Sequence, residues 1–156
     1  MRLTRKAEYA IRAMVDLATN YNQQPVMSKE IAVRQDIPVK FLIQIIPDLK
    51  SSGLIHTSRG NGGGIYLAKK PSEINIKHIV EAIEGPIALN NCLTGDSACS
   101  RKQSCSLHKV WRLAQEQMVS VLESTTLAAL TLKRIPAADG LTDSNSQVSN
   151  ETEIDV

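Results

Sequence analysis

Apolar residues recur at helical spacing from the start of the chain. Leu3, Ala7, Ala10, Ile11, Met14, Val15, Leu17 and Ala18 share one side of a helical wheel, with Arg5, Lys6, Glu8, Arg12 and Asp16 elsewhere on it, so an amphipathic helix ending near Asn20 is predicted. Ser28 is a suitable N-cap for a short helix, SKEIAVRQ, which Asp36-Ile37-Pro38 ends while opening the next. That third helix is predicted from Val39 to Ser52, with Leu42, Ile45, Ile46 and Leu49 inward and Gly53 as its stop. Pro47 lies inside it, where a lost hydrogen bond and a ring clash cost about 3 kcal/mol, so a kink or an earlier break is expected. Two period-two stretches, LIHTS and IYLA, flank the glycine-rich tip Arg59-Gly60-Asn61-Gly62-Gly63-Gly64 and predict a hairpin.

Three helices followed by a hairpin make a winged helix-turn-helix, so the predicted class is mainly α with a small β-hairpin wing. A further helix is predicted from Asn75 to Glu84 and is ended by Gly85-Pro86. Residues 90–106 have no helical period and carry all three cysteines. From His108 to Arg134 the period returns, and Leu107, Trp111, Ala114, Met118, Val121, Thr125, Ala128 and Leu132 alternate steps of four and three. Such a seam needs a partner, which predicts a long dimerisation helix.

At 156 residues the chain is one domain, or one with an appendage, and buries roughly two-thirds of the surface its unfolded form exposes without needing disulfides. No uncharged stretch approaches the roughly 20 apolar residues of a membrane span. Charges at Arg5, Lys6, Glu8 and Arg12 interrupt any leader-like apolar run, so a cytoplasmic protein is expected, whose cysteines are poor disulfide candidates. The net charge of +2 conceals an asymmetry: residues 1–70 carry +6, residues 71–134 carry +1 and residues 135–156 carry −5. These divisions coincide with a predicted DNA-binding module, a cysteine-loop and dimerisation segment, and an acidic tail expected to be disordered. A basic front suggests a polyanionic partner, although the same charge also suits an ordinary solvated surface.

Two constellations sharpen that suggestion. On the third helix Lys40, Phe41, Ile43, Gln44, Asp48 and Lys50 lie off the core positions. In a major groove Gln44 could pair with a base edge, Lys40 with a guanine or a phosphate, and Lys50 with phosphate, while Phe41 could touch a thymine methyl. The glycines of the hairpin tip permit positive φ and close backbone approach, and Arg59 suits a narrow minor groove with Asn61 beside it. The tip matches neither dinucleotide-binding nor Walker patterns, and no nucleophile motif or paired carboxylates occur, so an enzyme is not expected.

The remaining chemistry lies in Cys92, Cys99 and Cys105, separated by six and five residues, with His108 three positions after the last thiol. Thiolates with an imidazole suit an iron-sulfur cluster or zinc, and inert or redox-active thiols are the plain alternative. Structural zinc favours tighter pairs, so the spacing leans towards a cluster, probed most simply by colour and metal content.

These segments together, from MRLTRKAEYAIRAM through FLIQIIPDLKSSGLI, SRGNGGGIYLAK and the cysteine loop to VWRL, resemble the IscR-type regulators of iron-sulfur cluster assembly, a family that includes the nitric-oxide sensor NsrR. The resemblance covers about 130 residues. It implies a homodimeric winged-helix transcription regulator of double-stranded DNA operators, with one cluster, of 2Fe-2S type, per subunit. It carries cluster ligation onto Cys92, Cys99, Cys105 and His108, and DNA contact onto Lys40, Phe41, Gln44 and Arg59. Glu8 occupies the position from which some relatives supply a carboxylate across the dimer, leaving the fourth ligand open between His108 and Glu8. The first cysteine spacing is one residue longer than is usual in the family, and Ile43 replaces an acidic residue present there in some members. A nitric-oxide or redox sensor on the same scaffold, or a zinc-stabilised DNA-binding domain, are the alternative readings.

Overall fold

The computed structural model describes residues 3–23, 25–60, 62–94, 101 and 104–132. Of the expectations above, those for Asn61, Cys99, the end of the long helix at Arg134 and the acidic tail lie outside the described residues. Helix α1 (Arg5–Thr19) starts at Thr4, whose hydroxyl accepts the Ala7 N–H, and ends at Asn20. Its apolar face forms the centre of the core with α2 (Ser28–Gln35), α3 (Val39–Ser51) and α4 (Ile76–Glu84). Met14, Ile31, Leu42, Ile45, Leu49, Ile74 and Ile79 are almost wholly removed from water. Asp16, placed by the wheel among the polar positions, is buried with them. It follows Tyr9 by seven residues and Ala13 by three, which is core spacing, and its charge is met by α2.

The turn between α2 and α3 places Asp36 in the left-handed region (φ 50°), and Ile37 drops into the core. Ser28 is the first helical residue rather than the cap: Met27 holds the cap position, and its N–H donates to the Glu30 carboxylate at 3.1 Å. Helix α3 runs unbroken through Pro47, so the expected break does not occur. Pro47 and Ile43, whose carbonyl loses its partner, are both exposed, which leaves that carbonyl to solvent. Gly53 closes the helix as expected: at φ 67° it donates to the Lys50 carbonyl, and Leu54 donates to the Leu49 carbonyl, both at 3.0 Å.

Strands β1 (Ile55–Thr57) and β2 (Ile65–Leu67) pair antiparallel, with Ile55 opposite Leu67 and Thr57 opposite Ile65. Val26 exchanges two 2.9 Å backbone hydrogen bonds with Ile65, so the segment ahead of α2 extends the sheet. The expected continuous helix from His108 is instead α5 (Ser106–Ser124) and α6 (Leu127–Thr131). Thr125 makes the break: its N–H and hydroxyl both donate to the Val121 carbonyl, at 3.1 and 2.7 Å. The extended residues between the helices then pair with the start of α4, where Ile76 donates to Thr125 and Leu127 to Ile74. Leu127 is wholly buried, whereas on α5 the Leu107, Val110, Trp111, Leu113 and Val121 side chains are exposed. The predicted seam therefore stops at Val121, and Thr125 turns inward.

Candidate nucleic-acid interface and cysteine loop

The two helices of the helix-turn-helix are fixed to α1 by polar contacts. Arg34 Nε and Nη2 donate to Asp16 Oδ1 and Oδ2 at 2.9 and 2.7 Å, and Gln35 Nε2 adds a third bond to Oδ1 at 3.1 Å. Hydrogen bonding to Asp16 raises the Arg34 pKa further above its ordinary value. Arg12 donates to the Gln35 carbonyl at the end of α2, capping it with a cation. Lys6 reaches Asp48 on α3 at 2.5 Å. Phe41 is drawn back from solvent: its ring meets the Tyr9 ring edge-on at 5.0 Å, and the Lys40 ammonium lies 5.7 Å from its centre.

The remaining outward face of α3 carries Val39, Lys40, Ile43, Gln44, Pro47 and Lys50, all exposed. Beside it stands the wing. Gly60 and Gly62 have φ of 97° and 79°, and the Ser58 N–H donates to the Gly64 carbonyl at 2.9 Å. A methyl group on Gly63 would come within 2.6 Å of the Ser58 carbonyl oxygen, and one on Gly64 within 2.7 Å of that of Val26. Close packing, as much as left-handed backbone, thus requires these glycines. Arg59 is exposed at the tip. Between wing and helices runs a channel of about 420 Å³ lined in part by Ser28, Lys29, Ile46 and Ser58. Lys29 and Ser58 do not stand out in the sequence, and Ser28 does so only as a cap, because only the folded hairpin brings wing and helices together around this channel.

The described part of the cysteine loop follows α4 and packs against α5. Cys92 lies in a short 3-10 turn (Asn91–Leu93) and Cys105 caps α5, both as half-buried free thiols. The Leu89 N–H donates to Gln115 Oε1 on α5 at 3.1 Å. His108 sits in the first turn of α5, its N–H on the Cys105 carbonyl at 3.2 Å. Its Nδ1 is buried and has no hydrogen-bond partner among the described residues, which for a group of this polarity is costly. Among the described residues no three His, Cys, Asp or Glu side chains converge as a metal-holding group, and Cys99 lies outside them. Glu8 is exposed on α1. Soft sulfur donors at Cys92 and Cys105 and an imidazole at His108 are a donor set that fits an iron-sulfur group.

A family model described as "Rrf2: Iron-dependent Transcriptional regulator" matches residues 3–133. The chain belongs to the Rrf2 family. Within it this Rrf2 regulator is of the IscR type. The transcriptional regulator IscR of Klebsiella pneumoniae is 35% identical over 130 residues, spanning 83% of this chain and 79% of that protein. Among solved structures, T. potens IscR superposes with a TM-score of 0.65 at 32% identity over 85% of this chain and 88% of its own. CymR, titled the global cysteine regulator of B. subtilis, gives 0.71 at 27% identity over 85% and 98%. This Rrf2 protein is accordingly a DNA-binding transcription regulator rather than an enzyme, and none of its described helices is long and apolar enough to cross a membrane.

Proposed function

We propose that this regulator binds its operators as a homodimer, senses iron-sulfur cluster status, and controls cluster-assembly genes. The observation that carries the sensing is the Nδ1 of His108, buried without a partner among the described residues, one turn beyond Cys105. A cluster, of 2Fe-2S type, would be held by Cys92, Cys99, Cys105 and His108. His108 is favoured over Glu8 because burial without a partner leaves an imidazole in need of one, whereas an exposed carboxylate is already solvated. When bound, such a cluster supplies a redox-active centre with exchangeable ligands.

The chain's own residues connect that loop to the DNA-facing helix. Leu89 and Gln115 join the loop to α5. Glu84, at the end of α4 ahead of the loop, accepts the Thr4 N–H at 2.7 Å and so holds the start of α1. Two residues on, Lys6 pairs with Asp48 of α3. Ordering the loop thus biases the position of α1 and with it the recognition helix. In the operator complex Lys40, Gln44 and Lys50 enter or flank the major groove while Arg59 and Asn61 lie at the minor groove. Phe41 acts mainly by seating α3 on Tyr9. The exposed face of α5 around Leu107, Trp111 and Ala114 meets its copy in the partner subunit.

The test is anaerobic purification of the full chain, with visible absorption and iron, sulfide and zinc assayed on one sample. A coloured protein with equal iron and sulfide is expected, and Cys92→Ala should lose the colour while remaining a folded dimer. A colourless protein holding stoichiometric zinc would overturn the cluster reading in favour of a structural metal. His108→Ala should weaken cluster retention more than Glu8→Ala does.

A further inference from the structure

The outward face of α3 is not uniformly polar. Successive residues of a helix advance about 100°, so Val39, Ile43 and Pro47 lie within roughly 80° of one another, each one turn beyond the last. All three are exposed, Val39 by 46% and Ile43 by 66%. Lys40 and Gln44 flank this apolar ridge on one side, and Lys50 continues it. Phe41 falls about 160° away from Ile43 on the same wheel, with its ring against Tyr9, so it does not share the ridge. The basic residues around the ridge, Lys40, Lys50 and Arg59, favour a polyanion as the surface that covers it rather than a second protein.

We infer that Ile43, seated between Val39 and Pro47, is a specificity-determining residue that reads the 5-methyl group of thymine in the major groove. The inference rests on the DNA-binding reading above and adds what the recognition helix selects. Four distinct edge patterns are available in the major groove, and the thymine methyl is the one an alkyl side chain recognises. Ile43 offers a branched alkyl surface at the middle of the face, two-thirds of it open to solvent. Gln44, about 100° further round, is left to form hydrogen bonds with a neighbouring base edge.

The experiment starts with duplexes enriched from a randomised library by the full-chain protein. Each thymine of the enriched half-site is then replaced by deoxyuridine, which removes only the methyl group. At one or two positions the affinity should fall about three- to fivefold, the effect of un-burying one methyl. Ile43→Ala should bind the thymine and uracil duplexes equally at those positions, with the salt dependence of binding unchanged, and Ile43→Val should keep most of the preference. The inference is overturned if no thymine is sensitive, as a protein-docking ridge would give, or if Ile43→Ala discriminates as the parent does. Enrichment of no sequence at all would overturn the DNA-binding reading itself, and this inference with it.

Discussion

Removing Arg34 should destabilise the protein more than removing both Arg34 and its partner Asp16. Asp16 is 3% exposed, and its two oxygens accept three hydrogen bonds, two of them from the guanidinium. Arg34→Ala leaves the buried carboxylate with Gln35 alone. Breaking a fully buried pair in this way costs about 3–5 kcal/mol. The Arg34 side chain is itself 42% exposed, so water enters where it stood and the expected cost falls to about 2–3 kcal/mol. Asp16→Ala leaves the cation in contact with solvent and restores a good helix former to α1, so its cost should be about 1–2 kcal/mol. In the double variant no charge is stranded, and it should recover about 1 kcal/mol relative to Arg34→Ala. Urea unfolding of the parent and three variants at one protein concentration measures this directly, and each kcal/mol should move Tm by about 2–4 °C. A double variant less stable than Arg34→Ala would refute the placement of a buried carboxylate that depends on its arginine.

Three further outcomes are expected. Gly64→Ala should impair operator binding far more than it lowers Tm, because its new methyl meets the Val26 backbone at the sheet edge while the helical core is untouched; gel-shift titration beside a melting curve separates the two. Leu127→Ala should cost about 2–5 kcal/mol in urea unfolding, since the side chain is fully buried where α6 rejoins the core. Arg59→Ala should reduce the slope of log affinity against log salt by about 0.9 if the wing arginine neutralises one phosphate, and an unchanged slope would remove it from the interface.

The winged helix-turn-helix was legible because its signals are local. Period 3.6 marked α1 to α4, Asp36-Ile37-Pro38 and Gly53 marked their ends, and the glycine tip marked the hairpin. What escaped depended on contacts distant in sequence. The seam pattern continues smoothly across Thr125, but Ile74 and Ile76 supply a backbone pairing that extended residues satisfy and a helix does not. Asp16 reads as a surface acid until Arg34 and Gln35, a helix away, are brought to it. Pro47 reads as a helix breaker, yet α3 continues through it, with the Ile43 carbonyl that loses its partner on the exposed face. In the cysteine loop the spacing marks only candidate donor atoms, whereas the buried state of the His108 nitrogen depends on how distant residues pack around α5, which no local pattern encodes.

The manner in which α5 is fastened has a mechanical consequence. Its C-terminal half is bedded: Met118, Val119 and Leu122 pack on the core, Glu123 is clasped by Lys77 at 2.6 Å, and Thr125 begins the strap that ends in Leu127. Its N-terminal half, which begins at the Cys105 cap, adds no described residue to that core and is tied to the cysteine loop by the Leu89–Gln115 hydrogen bond. Pivoting near Met118, the helix presents an arm about 18 Å long that carries His108 near its tip. A tilt of about 5° about that pivot displaces the tip by about 1.5 Å, comparable to the helix shifts that switch subunit interfaces. In the homodimer proposed above, making or losing one bond at the cysteine loop would thereby change the angle at which two such arms cross.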